Sequence, residues 1–212
     1  MNFPSKNILF FFIIMAILLT ITYLSNQLLI SETLYYNTFA EQLTAEKIDG
    51  LIEQAQKWSW LGYVIIPIIY FFKFSFIVLT LLIGFFFINQ KVSFSVLFKA
   101  VMLAELPFLL VPFIKLFWFL FIQTQYDFND LQYFYPLSAL QLFEVKNLPT
   151  WQIYPLQLLN IFELVYWILL AYWFKRLLNI TLTKGMKIVV ASYGTGLLLW
   201  VVFVTFLSLN AT

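Results

Sequence analysis

The sequence predicts an all-α integral membrane protein: one domain over residues 1–212 with five transmembrane helices, the N-terminus inside and the C-terminus outside, and short amphipathic helices in the two outer loops. Three observations predict it. Hydrophobic residues make up 63% of the chain and charged residues 10%, against about 45–50% and about 25% in ordinary soluble domains. Mean hydropathy is +0.90, and a domain of this length has too little interior to hide so much apolar surface. Lipid must cover the rest. Finally, apolar runs of spanning length are separated by loops whose charge alternates in sign along the chain.

The first apolar run, Ile8 to Leu29, follows Lys6. It is long for a signal-peptide core and no small-x-small cleavage site follows, so it is expected to remain as the first span. The second, 60–88, would be about 43 Å long as helix and must tilt or project from the bilayer. The third, 96–122, carries Pro107 and Pro112; the fourth is 154–174 and the fifth 186–209. Together they take up most of the chain, with no internal repeat or flexible linker to mark a second domain.

Charge orients these spans. The N-terminus and loops 89–99 and 175–187 hold Lys6, Lys91, Lys99, Lys175, Arg176, Lys184 and Lys187, with no acid. Loops 31–58 and 123–153 hold Lys47, Lys57 and Lys146 with Glu32, Glu41, Glu46, Asp49, Glu53, Asp127, Asp130 and Glu144. Basic residues concentrate on the cytoplasmic side of membrane proteins, which puts the N-terminus inside and requires an odd number of crossings. Trp58, Trp60, Tyr63, Trp151, Tyr154, Tyr172 and Trp173 fall at span ends, where amphipathic rings sit at the headgroups.

The outer loops have their own patterns. Thr38-Phe-Ala-Glu41 has capping-box spacing, and Leu43, Ile48, Leu51, Ile52 and Ala55 then recur at helical intervals, predicting a short amphipathic helix. Its acidic face argues against anionic lipid as a target. Phe134 to Phe143 is too short to span and is expected in the interface, stopped at Asn147-Leu-Pro149. Asp127-Phe-Asn-Asp130 reads as a solvated turn, since two carboxylates without further ligands make a poor metal site.

Absences narrow the chemistry. The chain has no Cys and no His, which removes thiolate nucleophiles, cysteine–histidine metal sites and the commonest general base. An intramembrane serine protease would lack its base, and an aspartyl enzyme would lack two membrane-embedded Asp. No catalytic residue, cofactor or metal is expected. A net charge of +2 is too mild to suggest nucleic acid.

Four ionisable residues fall inside spans: Lys73, Glu105, Lys115 and Glu163. Each costs at least about 2.5–3.5 kcal/mol at a bilayer centre, so each should face protein or water. Lys115 and Glu163 lie about 10 and 13 Å from the outer ends of adjacent spans, which predicts an ion pair. Lys73 and Glu105 form a second, looser pair, so that the charges cancel. Glu105 precedes Pro107, which cannot donate to the Leu103 carbonyl; the resulting kink either lines an ion or substrate site or only shapes a packed bundle. Gly194-x-Gly196, with Ala191 and Ser192, predicts close helix packing in the last span.

Certain runs carry a resemblance. From Pro155 the chain reads PLQLLNIFELVYWILLAYWFKRLLNITLTKGMKIVVASYGTGLLLW: a helix opening Asn-x-Phe, a basic turn, then Thr-x-x-Lys-Gly before the last span. With Phe98-Lys-Ala-Val-Met-Leu-Ala-Glu-Leu-Pro107, it resembles the bacterial branch of the Yip family of Rab-interacting, five-span membrane proteins, over roughly residues 60–209. The resemblance implies that five-span layout. It does not imply small-GTPase binding, which relatives make through a soluble N-terminal segment, because only Met1 to Asn7 precede the first span here. The expected function is a non-enzymatic multi-pass protein of the plasma (bacterial inner) membrane. It would act as scaffold, partner or membrane-organising subunit among other membrane proteins or copies of itself. The alternative is a small transporter or permease subunit with Glu105 as a cation or proton site.

Overall fold

The computed structural model describes residues 5–210, with side chains from Asn7 onward. Lys6 therefore lies outside the described side chains. Among the described residues the chain is predominantly helical and has no strand, and the helices follow the apolar runs because each run lets backbone groups bond within one segment, as lipid demands. In order they are α1 (Ser5–Leu29), α2 (Glu32–Phe39), α3 (Ala45–Phe87), α4 (Phe94–Ala104), α5 (Leu110–Phe121), α6 (Phe128–Tyr133), α7 (Thr150–Leu158), α8 (Ile161–Leu178), α9 (Leu182–Ile188) and α10 (Thr195–Asn210). A 3-10 turn, Leu106–Leu109, joins α4 to α5, and one π turn, Val189–Gly194, joins α9 to α10.

Among the described residues three helices are long and apolar enough to cross a membrane: Asn7–Leu29, Ala45–Phe87 and Leu182–Asn210. Phe94–Ala104 and Leu106–Phe121, bent by 40°, make a fourth if taken as one broken span. The bend falls where Pro107 was expected to kink the helix: the 3-10 turn carries Pro107 at its start, and Phe108 donates to the Glu105 carbonyl at 2.9 Å. Pro112 sits in the first turn of α5, where a missing N–H costs little.

The expected fourth span, 154–174, is not one helix. The chain breaks at Leu159 and Asn160, and the 18-residue α8 carries Glu163, Lys175 and Arg176. A segment of the 123–153 loop inserts at the break: Ala139 donates to the Leu159 carbonyl at 2.8 Å and Ile161 to the Leu137 carbonyl at 3.2 Å. This segment, expected at the lipid interface, buries Ser138 and Leu140 against the bundle and leaves Leu137, Leu142 and Phe143 exposed. Leu137 takes a left-handed φ of 58° to make the turn.

The outer loop 31–58 also differs from expectation. Thr38 starts no helix; it lies in the last turn of α2, where its hydroxyl donates to the Leu34 carbonyl and accepts from the Phe128 amide. The amphipathic helix exists, with Ile48 and Ile52 buried, but it is continuous with the second span as the 43-residue α3. Pro67 does not interrupt it. Against its outer end Tyr36 donates to Asp49 at 2.7 Å, and this bond to a carboxylate raises the phenol above its ordinary range. Asp127 and Asp130 cap α6 reciprocally, each accepting from the other's amide, at 2.8 and 3.0 Å. The turn is a capping box.

Antiparallel packing sets the bundle. Gly84 of α3 lies so close to Ser192 that an added Cβ would stand 2.7 Å from its Oγ, and a Cβ on Gly196 would stand 2.8 Å from Thr80 Cγ2. Gly185 approaches the Ala171 carbonyl and Gly194 the Trp167 ring equally closely. The small-residue stripe therefore packs as expected. The core fills between these helices with Phe74, Val78, Leu81, Phe85, Leu97, Val101, Leu170 and Phe174. The start of α1 reaches the start of α4, where Asn7 donates to Ser95, and Phe85 meets Phe174 nearby. Lys91, Lys175 and Arg176 thus gather at one end of the bundle, and the acidic loops at the other.

Candidate functional site

The interior polar groups are positioned by two interruptions, the Pro107 turn and the Leu159–Asn160 break. At the first, α4 ends at Glu105, whose amide bonds back to the Val101 and Met102 carbonyls while its side chain, 1% exposed, turns between helices. Lys73 of α3 meets it, Nζ to Oε1, at 2.5 Å. The 3-10 turn swings Phe108 over the same ammonium, 5.0 Å from the ring centre, and Tyr70 lies 5.4 Å away on α3. The loosely expected pair is formed. Lys73 is nevertheless 41% exposed on the flank of α3, a face that also shows Ile69, Phe72 and Phe76.

At the second interruption Asn160 caps α8, its Oδ1 accepting from the Glu163 amide at 2.8 Å. Glu163 is thus in the first turn of a helix, where the free backbone amides favour an acidic side chain. Its Oε1 accepts from Trp167 Nε1 and from the Tyr193 hydroxyl, each at 2.7 Å. Tyr193 reaches it from the π turn; such insertions re-aim one residue without ending a helix. The Tyr193 ring packs against Tyr166 and Trp167, 5.3 and 5.8 Å between centres.

The expected Lys115–Glu163 ion pair is not formed. Lys115 donates to the Leu131 carbonyl at the end of α6. The two residues point different ways: the bend at Pro107 turns α5 toward α1, while α4 and the 3-10 turn stay against α8. Glu163 therefore has neutral donors only, and the charges do not cancel pairwise.

Two polar atoms in this interior have no protein partner: Glu105 Oε2 and the Tyr166 hydroxyl. Tyr166, Tyr193 and Trp167 were not singled out from the sequence, and Asn160 only as the opening of the Asn-x-Phe motif. Asn160-Ile-Phe-Glu163 does have a cap-like spacing, but it sat inside a presumed continuous span. The tyrosines offered no signal, because which of 12 tyrosines meet a carboxylate depends on helix rotation. Among the described residues no group of three or more His, Cys, Asp or Glu could hold a metal ion. Cavities of about 520 and 710 Å³ lie at the Asn89–Val92 turn and the 123–153 loop, and neither is lined by Lys73, Glu105 or Glu163.

Fold and site together define a polytopic α-helical membrane protein with an ionisable cluster between its helices that opens at Lys73 onto the flank of α3. No family model, curated protein or solved structure matches the chain.

Proposed function

We propose that this chain is a non-enzymatic, five-span membrane protein, N-terminus inside, that works through helix contacts with other membrane proteins or with a second copy. The reading places it in the plasma (bacterial inner) membrane and counts the broken α7–α8 segment as a span alongside α9–α10. One observation carries the proposal. Lys73 opens onto the flank of α3 among Ile69, Phe72 and Phe76, side chains that otherwise suit hydrocarbon. Lipid cannot solvate an ammonium there, at a cost of about 2.5–3.5 kcal/mol, whereas a neighbouring helix with one polar side chain can.

The Yip-like reading is supported by the roles of its motif residues. Asn160 caps α8, Thr181 caps α9 by accepting from the Lys184 amide at 3.2 Å, and Gly185 admits the Ala171 carbonyl. A second reading, a transporter subunit with Glu105 as a proton or cation site, is favoured by Glu163, a carboxylate with only neutral donors.

Crosslinking and purification from native membranes, wild type beside Glu105→Gln, tests the first reading. A reproducible membrane partner, weakened by the substitution, is expected. A chain recovered alone, together with solute or proton flux in proteoliposomes that Glu105→Gln abolishes, would overturn it in favour of the second. Because the chain has no Cys, single cysteines at Ser93 and Asn129 test the topology without background: label should reach Ser93→Cys only from inside and Asn129→Cys only from outside.

A further inference from the structure

The cluster between α3, α4, α8 and the π turn carries one positive and two negative side chains, Lys73 against Glu105 and Glu163, a surplus of one negative charge. The remaining groups facing it are neutral: Tyr70 from α3, Tyr154 from α7, Tyr166 and Trp167 from α8, and Tyr193. Helix α1, packed against α3 and α4, offers no ionisable side chain from Asn7 through Thr22. Lys115, on α5, is engaged at Leu131. The start of α8 adds about half a positive charge, which leaves the surplus uncancelled in a medium where isolated charge is costly.

The unpartnered atoms lie at the same place. Glu105 Oε2 is buried without a donor, and Tyr166, 1% exposed, has a hydroxyl without a partner. The Tyr166 ring packs against Phe108, which covers Lys73, and against Tyr193, which bonds Glu163, with 5.7 and 5.3 Å between ring centres. An acceptor lacking a donor and a surplus negative charge are both answered by a single proton. A metal ion would need a shell of ligands that the described residues do not assemble.

We infer that this cluster binds one exchangeable proton, held on Glu105 Oε2, the carboxylate oxygen without a donor. Glu163 keeps its bonds from Trp167 and Tyr193. One carboxyl O–H bond forms, the proton coming from hydronium in bulk water, and the interior is neutral. The inference deepens the second reading above and rests on it for the location of the site, but not on transport.

Infrared spectroscopy of the full chain in lipid nanodiscs counts protonated carboxyl groups at neutral pH; the other eight acids lie in the outer loops. Wild type should show one buried carboxylic acid per chain. Glu105→Gln and Glu163→Gln should each remove it, because the glutamate left behind then balances Lys73. Tyr166→Phe should keep one acid while shifting its carbonyl band. Absence of the band in wild type overturns the inference. So does retention of the band in either glutamine variant. The band without proton flux in proteoliposomes upholds the inference and removes the transport reading.

Discussion

The contact between Lys73 and Glu105 can be tested by taking it apart in both orders. Lys73→Met leaves Glu105, 1% exposed, with neither of its oxygens partnered. Stranding one member of a buried pair costs about 3–5 kcal/mol. Glu105→Leu leaves an ammonium that is 41% exposed on the flank. What is lost there is a charged hydrogen bond, about 1.5–3 kcal/mol. Replacing both, with Lys73→Met and Glu105→Leu, removes the desolvation cost along with the attraction and should return stability to within about 1 kcal/mol of wild type. The coupling is therefore about 3 kcal/mol or more. Reversible unfolding in bicelles measures it; in thermal terms the Lys73→Met loss is roughly 6–20 °C for a chain of this size. A double variant whose loss equals the sum of the singles, within about 0.5 kcal/mol, would refute the pairing.

Three further substitutions probe the interior. Glu163→Leu strands two buried donors, Trp167 Nε1 and the Tyr193 hydroxyl, and should cost about 2–5 kcal/mol, with Glu163→Gln well below that; Trp167 emission reports the change locally. Gly84→Ala drives a methyl into Ser192 and should cost about 1–3 kcal/mol, while Ser192→Gly in the same chain should restore most of the loss; absence of rescue would deny that close approach. Asn160→Ala removes the cap of α8 and should cost about 0.5–2 kcal/mol, with faster amide exchange at Ile161 and Ala139, the two donors that tie the outer loop to the break.

The membrane class was legible because it depends on sums. Apolar content and run length decide what must meet lipid, whichever way each helix faces, and α1, α3 and the last span follow from them directly. The Pro107 bend and the small-residue stripe were legible because proline and glycine act on the backbone locally. The pairing of Lys73 with Glu105 was legible as a possibility of depth. The failures have a common origin. Pairing Lys115 with Glu163 required the azimuth of α5, and a bend of 40° two turns earlier decides that. Reading 154–174 as one helix missed that Asn160 could cap as well as continue, a choice settled by the 137–139 segment that bonds on both sides of it.

The sequence by itself determined that the chain lives in lipid, which residues are charged within it, and where its backbone must bend, since these follow from composition and local stereochemistry. Tertiary structure alone decided which charges meet. Side chains 32 residues apart on α3 and α4, or 30 apart on α8 and the π turn, touch only through helix rotation and tilt. Those are fixed by close approaches such as Gly84 to Ser192, and packing of that kind is a property of the assembled bundle.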